Sequence, residues 1–487
     1  MVRLVCAALL LATLIFGLTA IQSGTVGAEA AKKQAKHRVG GKVKKARPRA
    51  GNPPSRLLAK WLARQVGPVR PCGRKWTRGP RAERRRHNRN VRRCKRWHRR
   101  IKVSSSQTPM PATVSAAADP GAPAYASRRV TPSLTATTAD PVLLARSYQI
   151  PKDDPDYERL VNWSYTYDSA VTASAFIALD EKAQAQQILD QLSALQFNTG
   201  AIDIAFDVTT GAGAGLYRSG NVAWLGLAAT TFDQRNKTSR YLQTVRRSAD
   251  FLLGLQASNG LVKGGPNVSW MSTLHNLIAY AFLARAARED PVNTVRYSTA
   301  ATRILNAIDS NLLVDDKNGL RYLQGLNDPV DALDTQAIGA IHLAGRNRFL
   351  SAAEVLDGVT DRFAVKNQKI LLNNSEKKYN QTWSSKEFFS GFKPYASTKV
   401  PQVIWFEGTA EVRAATAVNF RSTATLDAES KKWREVTEKG GSSAPLQANE
   451  TILEGRDELD VEYHVWPAAA ATAWQLLSTN EPRFLIP

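Results

Sequence analysis

The chain has 487 residues, 43% of them apolar and 11 of them Trp, which is enough to bury a sizeable core and too hydrophobic for a chain disordered throughout. Three Cys in that length exclude a disulfide-dense scaffold. A net charge of +24 suggests a polyanionic partner, so the charge has to be located before a partner class is chosen.

In chain order, the first 30 residues read as a signal peptide. Met1-Val-Arg is a cationic start, Leu4 to Leu18 is an apolar run of 15 residues, and Ala28-Glu29-Ala30 fits an A-x-A cleavage site. The run is short for a membrane span. Residues 31–103 form a basic arm: between Ala31 and Lys102 there are 28 Lys and Arg and one acid, Glu83. From Val103 to the end, 37 basic residues face 40 acidic ones, so the whole excess belongs to the arm and the remainder is slightly acidic. Nucleic acid is therefore disfavoured. An exported arm of this kind is expected to hold the secreted protein at an anionic cell-wall polymer or membrane surface through residues 31–102. Cys72 and Cys94 flank part of it and are expected to pair, closing a loop of roughly 23 residues worth about 3 kcal/mol in the chain-entropy model. Residues 104–140, rich in Ser, Thr, Ala and Pro without helical or strand period, read as a linker.

From 141 to 487 the sequence repeats. Six short, Ala-rich, nearly uncharged segments begin near Asp168, Val222, His275, Asp334, Glu407 and Pro467. Amphipathic, charged helices alternate with them over 181–196, 239–256, 292–312, 349–365 and 423–438. A helix apolar all round lies in an inner layer, and one with a single apolar stripe lies outside it. Six inner segments predict a closed (α/α)6 toroid, an all-α fold, with the stretch from Pro141 to Tyr148 as the sixth outer helix. An open solenoid is the rival.

The loops before the inner helices are polar and aromatic, and a parallel inner ring would gather them on one face. Trp163-Ser-Tyr-Thr-Tyr-Asp-Ser-Ala, His275-Asn, Asp331-Ala-Leu-Asp-Thr-Gln and Trp405-Phe-Glu-Gly-Thr-Ala stand at inner-helix starts. With these motifs, 141–487 resembles the six-hairpin glycosidase superfamily. That resemblance implies a carbohydrate substrate, carboxylate general acid/base catalysis and no cofactor or metal. It does not select one family, because the superfamily also holds sugar epimerases and toroidal lyases.

Glycoside hydrolysis needs two carboxyls flanking the scissile bond. The candidates are Asp168, Asp334, Glu407 and Glu462, each placed just before or within the first turn of an inner segment, where the bland alternative is a helix cap. Substrate contacts are expected from Trp163, Tyr167, Trp270 and Trp405 as platforms, and from Arg218, His275, Asp331 and His464 as polar groups. Glu462 and His464 share one face of an extended segment and are expected to pair. Arg218, the one base in its loop, suits an anionic sugar or a carboxylate. Asp207 and Asp328 are weaker loop candidates.

The leading reading is a secreted, monomeric glycoside hydrolase cleaving a poly- or oligosaccharide. The alternatives are a non-catalytic glycan- or wall-binding protein and a toroidal polysaccharide lyase. Deleting Ala31–Lys102 is expected to abolish a salt-sensitive retention at anionic surfaces and to spare catalysis. A truncated protein that stays bound would show that the arm is not the tether.

Overall fold

The computed structural model describes residues 53–67, 141–152, 154–369, 388–397, 403–439, 449–451, 455–456 and 462–487. They belong to one compact unit that starts at Gly51. The signal peptide, the Cys72–Cys94 pair, most of the basic arm and the linker lie outside the described residues.

Six helices are buried along almost their whole circumference: α3 (Thr166–Ala178), α5 (Ser219–Asn236), α7 (Thr273–Glu289), α9 (Leu333–Gly345), α11 (Phe406–Val418) and α13 (Ala469–Asn480). Each packs against the next, and α13 returns to α3, so the inner ring is closed. The open solenoid is thereby excluded. The outer helices α4 (Lys182–Leu195), α6 (Leu242–Leu255), α8 (Thr294–Asn311) and α10 (Phe349–Phe363) each lean on the preceding inner helix. α12 (Ala424–Lys439) places Trp433 edge-on against Phe406 of α11. α4, α6, α8 and α10 bury one stripe and expose charges on the other, as their sequence period predicts. A four-residue turn, α2 (Tyr157–Leu160), precedes the first inner helix.

Among the described residues, strands form four antiparallel pairs in the loops. These are β1 (Trp163–Tyr165) with β2 (Ala205–Asp207), β3 (Leu313–Asp316) with β4 (Gly319–Tyr322), β5 (Ala364–Lys369) with β6 (Phe388–Phe392), and β7 (Gly455–Arg456) with β8 (Glu462–Tyr463). Trp163, Ser164 and Tyr165 face Asp207, Phe206 and Ala205 respectively.

One backbone contact recurs six times. The first N–H of an α-helix has no acceptor within its own helix. Here it donates to a carbonyl in the loop that leads to the next inner helix. Thr166 donates to Ile204 (2.8 Å), Ser219 to Gly264 (3.0 Å), Thr273 to Gln324 (2.9 Å), Leu333 to Pro394 (2.9 Å), Phe406 to Glu450 (2.9 Å) and Ala469 to Ser147 (2.8 Å). The last bond closes the circle. It also fixes polarity: all six inner N-termini share one face. Three residues further along four of these helices, a polar side chain reaches back to the loop before its own helix. Ser169 Oγ accepts from Ala145 N–H, Asn276 Oδ1 from Val262, Gln336 Oε1 from Tyr322 and Thr409 Oγ1 from Phe392.

The sixth outer position corrects the sequence reading. Pro141–Tyr148 is not helical. It runs as an extended strap, bridging Val66 through Ala145 and Ala468 through Tyr148. Eight residues opening on proline are too few to nucleate a stable helix. The helix packed on α13 is instead α1 (Pro53–Gln65), which belongs to the arm. Its prolines sit in the first turn, where no N–H is needed. Leu58, Trp61, Leu62 and Gln65 are buried, while Arg56, Lys60 and Arg64 point outward at i, i+4 and i+8. The lysine and arginine count of the segment hid an amphipathic helix. Its C-terminal end is held by the strap: Arg146 donates through Nε to the Gly67 carbonyl and through Nη2 to Gln65 Oε1, a cation where the helix dipole favours one. Trp61 Nε1 donates to Gln149 Oε1 at 3.0 Å.

Deleting Ala31–Lys102 would therefore remove part of the folded body along with the charge. Deletion through Ala50, with neutralisation of the basic residues at 70–102, separates tether from fold. Trp61→Ala is expected to cost about 3–5 kcal/mol in denaturant unfolding, the usual range for a fully buried aromatic, whereas deletion through Ala50 leaves the midpoint unchanged. An unaltered midpoint for Trp61→Ala would exclude α1 from the fold.

Candidate active site

The common N-terminal face of the ring is where the acids meet. Asp168 and Glu407 lie in the first turns of α3 and α11, and Asp334 in that of α9. Two further carboxyls join them. Glu450 arrives in the loop whose carbonyl accepts the Phe406 N–H, and Glu411 stands one turn below Glu407. Asp168, Asp334, Glu407 and Glu450 are 7%, 6%, 9% and 9% exposed, against 1% for Glu411. Four of the five thus reach the face, and Glu411 is sealed beneath it.

Burial governs the protonation of all five, since desolvation disfavours the charged form. It pushes Asp168 up to about 7 against the opposing pull of the Ser147 hydroxyl. Asp334 rises to about 6, again by burial, with the Thr335 N–H (2.6 Å) and hydroxyl favouring its anion. Glu450 rises to about 8 by burial, although the His464 N–H donates to its Oε2 at 2.8 Å and the Tyr148 hydroxyl to Oε1 at 3.3 Å. Glu407 is held well above the carboxylate range by burial, and the nearby charges of Asp168, Glu450 and Asp334 add to the effect. The Tyr167 hydroxyl donates to Glu407 Oε1 at 2.5 Å and itself accepts from Trp474 Nε1–H at 2.8 Å, which fixes the carboxyl in place. Glu411 is raised by burial and then by Glu407 and Asp334. The mutual influence of these groups places them in one cluster.

Sequence reasoning anticipated Asp168, Asp334 and Glu407 and missed Glu411 and Glu450. Glu411 left a signal, a second acid four residues after Glu407 and so on the same face of the helix. Glu450 left none, because a backbone pairing from a distant segment delivers it. Glu462 lies in β8, but its side chain falls outside the described residues. The expected Glu462–His464 pair therefore lies outside the described residues; the His464 N–H donates to Glu450, and its ring stacks on Trp466 with centroids 3.7 Å apart.

Several expected substrate contacts have other tasks. His275 is fully buried; its Nδ1 accepts the Gly220 N–H at 3.1 Å and lies 2.9 Å from Ser219 Oγ, joining the starts of α5 and α7. Burial lowers its pKa to about 3, so it stays neutral. Its Nδ1 is committed to these two helix starts. Asp331 is bound to Arg362 Nε at 2.6 Å, away from the cluster. Tyr167 positions Glu407 and is itself buried. Asp207 and Asp328 cap their own turns through Thr209 and Val330 N–H groups. Trp163 is buried in β1, whereas Trp405 and Trp270 remain half-exposed at the rim. Arg218 is half-buried beside Trp270.

No protein-family model matches the chain, and no curated protein does. Among solved structures it is similar to a wild-type glycosidase (11% identity, TM-score 0.48, covering 67% of this chain and 89% of that one). It is also similar to a family 76 glycoside hydrolase from a bovine Bacteroides thetaiotaomicron strain (11%, 0.47, 70% and 73%). A D-mannose isomerase is a third such neighbour (15%, 0.45, 72% and 94%). Overlaps this loose carry no residue roles, so the chemistry of the site rests on its own carboxyls.

Those carboxyls set a pH dependence. Asp168, Asp334 and Glu450 titrate in the fold at about 7, 6 and 8, above the ordinary aspartate and glutamate values near 4. Between these limits the folded state binds more protons than the unfolded chain, so the stability they contribute declines as pH rises from about 4 to 8. Glu411→Gln removes one such group without touching the four at the face. It is expected to raise the Tm at pH 8 and to flatten the decline between pH 5 and pH 8; an unchanged profile would mean that Glu411 is already ionised in the fold.

Proposed function

We propose that the chain is a secreted glycoside hydrolase acting on a poly- or oligosaccharide bound across the N-terminal face of the ring. The observation that carries the reading is the pairing of two unlike carboxyls in one cluster. Burial and three neighbouring acids hold Glu407 well above the usual carboxylate range, whereas Asp334, at about 6, is largely ionised at neutral pH. Two titratable groups pushed apart by their surroundings are what acid and base assignment requires.

In this mechanism Glu407 protonates the glycosidic oxygen as the bond to the anomeric carbon breaks. Asp334 accepts a proton from the water that attacks that carbon, and proton exchange with solvent restores both groups. Tyr167, locked by Trp474, orients the acid. Asp168 and Glu450 sustain the high proton affinity of Glu407 and supply hydrogen bonds to sugar hydroxyls. Trp405 and Trp270 offer apolar faces for sugar rings.

The test is digestion of a glycan panel by the full chain and by Asp334→Asn and Glu407→Gln, with circular dichroism confirming the fold. Each substitution is expected to lower kcat by about 10²–10⁴. The wild-type rate should rise with pH through about 6, as Asp334 ionises. Full activity in both variants, or an absence of turnover on every glycan, would overturn the reading.

A further inference from the structure

Among the described residues, several cations near the acid-bearing face already have partners. Arg159 pairs with Asp156, Arg321 with Asp316 and Arg362 with Asp331, at 2.6, 2.7 and 2.6 Å. Arg146 is committed to the C-terminal end of α1. Lys393 is 6% exposed and gives its ammonium to the Ser397 carbonyl.

Arg218 is different. It is half-buried at the start of α5, and burial alone acts on it, lowering its pKa with no acid pulling it back. Among the described residues no carboxylate pairs with it. Its Nη1 donates to the Tyr217 carbonyl at 3.0 Å, and its guanidinium lies 6.0 Å from the centroid of the Trp270 ring. Four of the five guanidinium N–H groups are left for other partners. Arginine keeps its charge in such surroundings, so a partly desolvated cation stands with a carbonyl and an indole beside it but no carboxylate among the described residues.

Trp270 is braced beside it. A Cβ on Gly264 would lie 2.4 Å from the indole, so the ring rests against bare backbone there, and its other contact is the buried His275 ring, edge-on at 5.2 Å. The ring order then places this pair in the arc between two catalytic candidates. α3 carries Asp168, Arg218 and Trp270 precede α5 and α7, and α9 carries Asp334. An indole next to a forked cation matches a sugar ring bearing a carboxylate, one surface stacking on the ring and the fork taking the two oxygens. Burial raises the proton affinity of every member of the acid cluster, which lessens its repulsion of such a ligand. The charge map of the chain agrees: an arm carrying 28 basic residues draws the protein toward polyanions.

We propose that Arg218 and Trp270 form a subsite for a uronic acid residue, so that the substrate is an acidic polysaccharide. This rests on the hydrolase reading for its catalysis but not for its binding.

The test measures binding of short uronic acid oligosaccharides, and of the same oligosaccharides with their carboxyls reduced to alcohols, to full-length Glu407→Gln at physiological salt. Comparing Arg218→Met and Arg218→Lys in that full-length background cancels the contribution of the arm. Arg218→Met is expected to weaken binding of the uronate by about tenfold or more, Arg218→Lys to recover part of it, and neither to change binding of the reduced form. Equal binding of both forms, or uronate binding indifferent to Arg218→Met, overturns the proposal. A sulfated oligosaccharide that alone shows dependence on Arg218 overturns the assignment to a carboxylate. Arg218-dependent uronate binding without turnover by the wild type would sink the hydrolase reading and leave the subsite standing. Turnover of neutral glycans with no uronate binding would do the reverse.

Discussion

The structure depends on six hydrogen bonds, each from the first N–H of an inner helix to the loop entering the next. An unsatisfied N–H at a buried helix start costs about as much as a lost hydrogen bond, so each unit needs its successor. With six units the need is met by closure, Ala469 returning to Ser147. The same bonds set the direction of every inner helix and assemble the loops on one side. The acid cluster follows from the ring.

That placement sets two electrostatic effects against each other. Helix N-termini favour a nearby anion by about 0.3–1 kcal/mol. Burial acts in the opposite direction, and the rise of Asp168 from an ordinary value of 3.8 to about 7 corresponds to roughly 4 kcal/mol. Burial wins. The helix starts therefore carry carboxyls that hold protons near neutrality, and Asp334, helped by its Thr335 N–H, is the one that releases its proton most readily. A closed, dry ring thereby gives unlike proton affinities to residues of the same chemical kind.

The polar residues three positions into α3, α7, α9 and α11 hold the pre-helix loops a second time, from within their own unit. A loop fixed from both sides presents its aromatic and charged residues with little conformational cost on binding. Trp270 belongs to this frame, its loop held at Gly264 by the Ser219 N–H and at Val262 by Asn276, and Arg218 lies beside it. Their neighbour His275 spends its ring on bracing Ser219 and Gly220, which is why a histidine that looked available for chemistry is structural. The arm is tied in as well: α1 turns its apolar stripe to α13 and its cations outward, so one segment serves both packing and charge.

The alternation of inner and outer helices was legible in the sequence, because each helix writes its own burial in its period. The five outer helices differ from their expected spans by three residues or fewer at either end. Asp168, Asp334 and Glu407 were legible too, since each stands at the start of an apolar helix. The sixth outer helix was not, as basic residues on the exposed face of α1 outweighed its apolar stripe in any count by composition. Nor was Glu450, which enters through a bond from Phe406, or the loss of His275 to the core. Local sequence determined which segments would be buried and where acids would begin them. Only ring closure decided which acids meet and which helix fills the last place, because those depend on contacts between residues far apart in the chain.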